Sequence, residues 1–154
     1  MMYYQIGSES TELSSEDIRQ AVFTALEQMG TRKKVLVVPP DITRLHSGAG
    51  EITTYVYDYY KAELTDILPA LGTHAPMTEA EMNRMFPGIP HHLFRVHDWR
   101  NDVITVGTID GEKVSEITNG LIDTPWPAQL NRLVWEGGHD LILSVGQVVP
   151  HEVI

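Results

Sequence analysis

Lys33-Lys34-Val35-Leu36-Val37-Val38-Pro39-Pro40-Asp41-Ile42-Thr43-Arg44 is the stretch on which the fold turns. Val35 to Val38 is a short β-branched run without alternation, the pattern of a strand covered on both faces, as in parallel sheets. Two prolines stop it, and the chain then delivers an aspartate, a threonine and an arginine. Open α/β sheets place their chemistry beyond the carboxyl ends of their strands, so a buried strand that stops at ionisable residues predicts both the sheet and its functional edge. The pattern recurs twice. Ile67 to Leu71 leads into Gly72-Thr73-His74, and Leu141 to Val149, apolar except for Ser144, Gly146 and Gln147, leads into Pro150-His151-Glu152.

Helical periodicity fills the intervals between these runs. Ile18, Val22, Ala25, Leu26 and Met29 recur at three- and four-residue spacing, with Glu16 and Asp17 in the first turn and Gly30 as a stop, which predicts a helix over 15–29. After a loop over 45–50, the tyrosines Tyr55, Tyr57, Tyr59 and Tyr60 fit an alternating strand, but Ile52, Tyr55, Val56, Tyr59 and Tyr60 also share a helical face, and the helix is favoured because it supplies the crossover of a right-handed βαβ unit. Thr78 and Glu81 form a capping box for a further helix that Pro87-Gly88 ends. Leu93–Val96 and Val103–Val106 are short strand candidates, and Asp110-Gly111 turns the second into Lys113–Ile117 as a hairpin. Pro125 and Pro127 break regular structure, and Leu130, Leu133 and Val134 permit a short helix before Gly137-Gly138. With no repeat or linker, the expectation is α/β: one domain over 1–154, with a single open, mostly parallel sheet, flanking helices and a small antiparallel hairpin.

Composition narrows the function. A net charge of −10 with only 11 Lys plus Arg among 154 residues argues against nucleic acid, whose binding draws on clustered basic side chains. The absence of cysteine removes thiolate metal ligands and a cysteine nucleophile and fits a reducing compartment. No apolar leader or membrane-length run appears, so the expected location is the cytoplasm, with no membrane partner. The same negative charge repels small anions at long range, which makes the local cation Arg44 important for any anionic substrate.

Arg44 carries a planar fork suited to gripping a carboxylate through two hydrogen bonds. Asp41 either joins that site, caps the following helix or pairs with Arg44. His74 follows a glycine that permits a sharp turn, and histidine is the side-chain type whose ordinary pKa lies nearest working pH, which suits a proton shuttle. The competing role for His74 is a loop hydrogen bond. His151 lies at the end of the last run, and two histidines facing one another across a substrate carbon would serve proton exchange on either side of it. His91-His92 is expected in solvent. His97-Asp98 matches no zinc spacing, and no nucleophile elbow, Walker loop or dinucleotide motif is present.

Taken in order, Pro-Asp-Ile-Thr-Arg (40–44), Gly-Thr-His (72–74), Val-His-Asp (96–98), Val-Gly-Thr (106–108) and Ser-Val-Gly-Gln-Val-Val-Pro-His-Glu (144–152) resemble the amino-terminal domain of the nickel-pincer lactate racemase family. The resemblance implies racemisation or epimerisation of a small 2-hydroxy acid by proton-coupled hydride transfer to a nickel-pincer nucleotide. It implies His74 and His151 as the two acid/base histidines, and Asp41 and Arg44 as substrate-binding residues. The family's cofactor-tethering lysine and nickel-ligating histidine lie beyond the Pro-His motif. The chain is therefore expected to be a truncated amino-terminal domain that needs the carboxy-terminal portion of its enzyme, binds no cofactor alone and is inactive in isolation. A non-catalytic carboxylate-binding or assembly domain is the alternative. A metal-dependent lyase or hydrolase built on His91, His92 and His97 is a third.

Overall fold

The computed structural model describes residues 2–147, in which mixed α/β architecture divides into two compact units. One unit comprises Met1–Val96 with His139–Ile154, and the other is His97–Gly138. The first holds a parallel three-stranded sheet in the order β2-β1-β5, formed by β2 (Leu64–Ile67), β1 (Val35–Val38) and β5 (Leu141–Ser144). The run without alternation in β1 is explained by its central place. Val35, Leu36 and Val37 are all fully buried, with Val35 and Val37 facing the helices and Leu36 the opposite side.

Helix α1 (Ser15–Met29) has the predicted bounds, with Ser14 as its N-cap in a capping box with Asp17. Helix α2 (Ala49–Tyr60) supplies the expected crossover. Leu26, Val56 and Tyr60 from these helices close over Val35, Val37, Leu64 and Ile67, and Phe23 meets Tyr59 edge-on at 5.3 Å. Helix α3 (Glu79–Met85) carries the predicted Thr78/Glu81 box, and its Met85 and the following Phe86 complete the same core. The predicted loop over 45–50 is more ordered than expected: residues Ile42–Ser47 form a 3-10 helix and α2 already begins at Ala49.

The strand expected over 67–71 lies earlier, at Leu64–Ile67. Thr65 and Asp66 break the apolar pattern but belong to the strand because Asp66 has charged and hydrogen-bonding partners there. Beyond its end, Leu68 N–H still donates to Val37 O at 2.9 Å and Ala70 N–H to Pro39 O at 2.8 Å, which carries the segment alongside β1 toward Gly72. Leu93–Val96 is not a strand. His91–Leu93 forms a 3-10 turn after Pro90, and only a single parallel bridge, Phe94 to Ile67, follows.

Unit His97–Gly138 pairs β3 (Val103–Ile109) with β4 (Trp126–Asn131) in an antiparallel sheet. A small antiparallel sheet was expected, but with the wrong partner: Lys113–Ile117 belongs to helix α4 (Gly111–Ile117), and Pro127 sits within β4. Lys113 and Glu116 pair across one helical turn, and Val114 is buried, so the segment gains more as a helix than as a strand. A two-stranded sheet has only edges, where proline is tolerated. Helix α5 (Arg132–Glu136) provides the short helix predicted before Gly137.

Candidate active-site edge

Pro39-Pro40 turns the chain out of β1, and Asp41 caps the 3-10 helix by accepting Thr43 N–H at 3.1 Å on Oδ1. The Thr43 hydroxyl donates to the same oxygen. The other oxygen, Oδ2, accepts His74 Nδ1–H at 2.6 Å. Asp41 is thus the group that joins the end of β1 to the loop after β2. Its residue is 4% exposed, so this carboxylate is held by three donors in a nearly dry position. Burial pushes the Asp41 carboxyl up, but the hydrogen bonds from Thr43 and His74, with the histidine charge, hold it below the usual carboxylate range.

His74 is placed by its backbone, whose N–H donates to Leu71 O at 2.9 Å after Gly72 has turned the chain at φ +56°. With Nδ1–H given to Asp41, the neutral ring presents Nε2 as its proton acceptor. The side chain is 57% exposed, which leaves that nitrogen accessible to solutes.

Arg44 interrupts the 3-10 helix with φ −108° and ψ 28°. Among the described residues its guanidinium makes no hydrogen bond or ion pair, so Asp41 and Arg44 do not pair with one another. Arg44 instead lines a cleft of about 260 Å³. Ser47 joins it from the same 3-10 helix, Ala70 comes from the segment after β2, and Ser144, Gly146 and Gln147 come from the end of β5. The carboxyl ends of all three parallel strands therefore contribute residues to one cleft. His74 is not among the cleft-lining residues and reaches this edge through Asp41. His151 lies outside the described residues.

The other histidines have different surroundings. His91 Nε2 meets Asn83 Oδ1 at 2.8 Å, His92 is exposed, and His97 Nδ1 accepts from Asn131 Nδ2 at 3.0 Å. No group of three His, Cys, Asp or Glu side chains suited to a metal exists among the described residues, so the His91, His92 and His97 metal site has no structural support. Sequence reasoning gave no cleft role to Ser47, which no local pattern marks, or to Gln147, although Gln147 sits within the 144–152 motif. It also passed over Thr43 and His139. The Asp-x-Thr spacing was a usable signal for the first, since such pairs bond locally at caps.

The sequence model of the lactate racemase N-terminal domain family matches residues 11–154. A crystal structure of a protein from Thermotoga maritima is 32% identical and superposes with a TM-score of 0.78, covering 91% of this chain and 35% of its own. The lactate racemase apoprotein from Thermoanaerobacterium thermosaccharolyticum shares the fold at 21% identity and a TM-score of 0.58, covering 85% of this chain and 31% of its own. The chain thus spans about a third of the length of these two proteins. No curated protein sequence matches it.

Proposed function

This chain belongs to the lactate racemase N-terminal domain family, and from that premise we propose that it forms the substrate-binding and proton-transfer edge of a 2-hydroxy acid racemase or epimerase. The observation that carries the reading is an Arg44 guanidinium with no ion-pair partner among the described residues, lining a small cleft at the strand-end edge where His74, bonded to Asp41, follows the neighbouring strand. Arg44 grips the substrate carboxylate in a fork that restricts its rotation. His74 Nε2 takes the proton from the 2-hydroxyl and returns it as the hydroxyl reforms. Asp41 takes the role of orienting that imidazole, since its oxygens are already committed to Thr43 and His74. His151 is assigned the matching role for the opposite enantiomer, on the family resemblance.

In this family the cofactor is a nickel-pincer nucleotide, which supplies the hydride chemistry when bound. Among the described residues no three His, Cys, Asp or Glu side chains are grouped to hold a metal ion, and no step assigned to this chain runs through nickel. The roles assigned to this chain are therefore carboxylate binding and proton movement.

Chiral chromatography of D- or L-2-hydroxy acids incubated with the cofactor-loaded enzyme that carries this domain tests the reading. Interconversion of at least one acid is expected. His74→Ala should lower kcat about 10²–10⁴-fold, the usual worth of a general base. Arg44→Lys should chiefly raise KM, because a point charge replaces the fork. Unchanged turnover in His74→Ala, with carboxylate binding still dependent on Arg44, would instead identify a binding domain.

A further inference from the structure

We propose that Thr43 is a positioning residue that fixes the tautomer of His74 through Asp41, an inference that rests on His74 being the proton-transfer group. Asp41 Oδ1 accepts both the backbone N–H and the hydroxyl of Thr43, and Oδ2 accepts His74 Nδ1–H. The cap of the 3-10 helix requires only the backbone donor, at 3.1 Å. The hydroxyl is a second, independent restraint on the same oxygen. With Oδ1 held from two directions, rotation of the carboxylate about its Cβ–Cγ bond breaks a bond to Thr43, so Oδ2 stays aimed at the imidazole.

That aim matters because the carboxylate can only accept. It selects the neutral tautomer with the proton on Nδ1 and leaves the lone pair on Nε2, where a substrate hydroxyl can reach it. The histidine backbone is already restrained by the Leu71 carbonyl and the turn at Gly72. Its ring is 57% exposed, so packing alone gives little control over tautomer or orientation. Control therefore passes through the Asp41 oxygen, and the Thr43 hydroxyl steadies it.

Three variants separate this role from capping. Thr43→Val keeps the backbone N–H and the β-branch but loses the hydroxyl, Thr43→Ser restores the hydroxyl, and Asp41→Asn replaces the acceptor itself. Two-bond ¹H–¹⁵N correlation spectra of the ¹⁵N-labelled chain read the imidazole tautomer of His74 without substrate or cofactor. The wild type and Thr43→Ser should show the Nδ1–H form as the major neutral species. Thr43→Val should shift the population toward Nε2–H, and Asp41→Asn should abolish the Nδ1–H preference. An unchanged tautomer in Thr43→Val overturns the proposal and leaves Thr43 as a cap. A wild type that is mainly Nε2–H overturns it at the preceding link, Asp41 to His74. The expected tautomer pattern combined with no interconversion of any 2-hydroxy acid would refute the racemase reading alone.

Discussion

Asp41 shows how one buried carboxylate links stability to chemistry. Its folded pKa is lowered: burial alone would raise it, and the Thr43 and His74 bonds outweigh burial. A carboxyl whose folded pKa lies below its unfolded value stabilises the fold above the unfolded value, near pH 4, and that contribution is lost as pH falls through the folded pKa. Asp41→Asn should therefore lower the urea midpoint at pH 7 by an amount equivalent to about 1–3 kcal/mol. The gap to the wild type should close on acidification below about pH 4. A gap independent of pH would mean that shape, rather than charge, makes Asp41 valuable. The substitution also acts on the proposed chemistry, because the asparagine amide can present its own N–H to His74 Nδ1. The ring must then protonate Nε2 and lose its accepting nitrogen. At this scale Asp41, Arg44 and His74 were all legible as strand-end residues. Their division into a carboxylate committed to Thr43 and His74, a guanidinium without a partner among the described residues and an exposed imidazole was not, because which oxygen meets which donor depends on the approach of two loops 33 residues apart.

Among the elements, the start of α2 is tightly constrained by packing. A Cβ on Gly50 would lie 2.1 Å from Met85 O, so the helix approaches the end of α3 backbone to backbone. Gly50→Ala removes a poor helix former from α2, worth under about 1 kcal/mol in its favour, but forces two main chains apart at a typical overpacking cost of about 1–3 kcal/mol. Thermal unfolding should show a net loss of stability, and a higher Tm would mean that α3 yields freely. The 45–50 segment looked like a loop for the same reason: Gly48 and Gly50 read as breaks, while the close approach that requires Gly50 is tertiary. Helices α1 and α3 were readable because their caps and periodic faces are local. The Lys113–Ile117 segment was misread because Asp110-Gly111 is both a turn signal and a helix start. What decides there is that Gly111 packs 2.0 Å, measured from a would-be Cβ, against Asp123 O, while β3 finds its partner in Trp126–Asn131.

Across the whole molecule, the chain leaves the first unit after Val96 and returns at His139, and one residue holds both points. Asp66 in β2 accepts Arg95 Nε–H at 2.7 Å, His139 Nε2–H at 2.8 Å and the Thr65 hydroxyl at 2.8 Å. The His139 side chain is fully buried, and its Nδ1 has no partner among the described residues, so the bond to Asp66 is what anchors the ring. Burial pushes the Asp66 carboxyl up, but the bonds from His139, Thr65 and Arg95 and the arginine charge bring it below the usual range. Asp66 thereby closes the ends of the 97–138 excursion within the first unit, a role invisible in sequence because its partners lie 29 and 73 residues away. Removing one member of a buried pair costs about 3–5 kcal/mol, but the Arg95 side chain is 43% exposed and recovers water, so about 2 kcal/mol is the expected loss for Asp66→Asn at pH 7. Arg95→Met should lose about 1 kcal/mol or less, as a half-exposed ion pair does. Urea unfolding of both variants measures this order. The Asp66→Asn deficit should also shrink as pH falls through the depressed carboxyl pKa, since protonation removes the same charge from the wild type. Equal losses in the two variants would place the clamp in the Arg95 pair alone, with His139 a passenger. A larger loss in Asp66→Asn requires that the buried histidine depends on the same carboxylate.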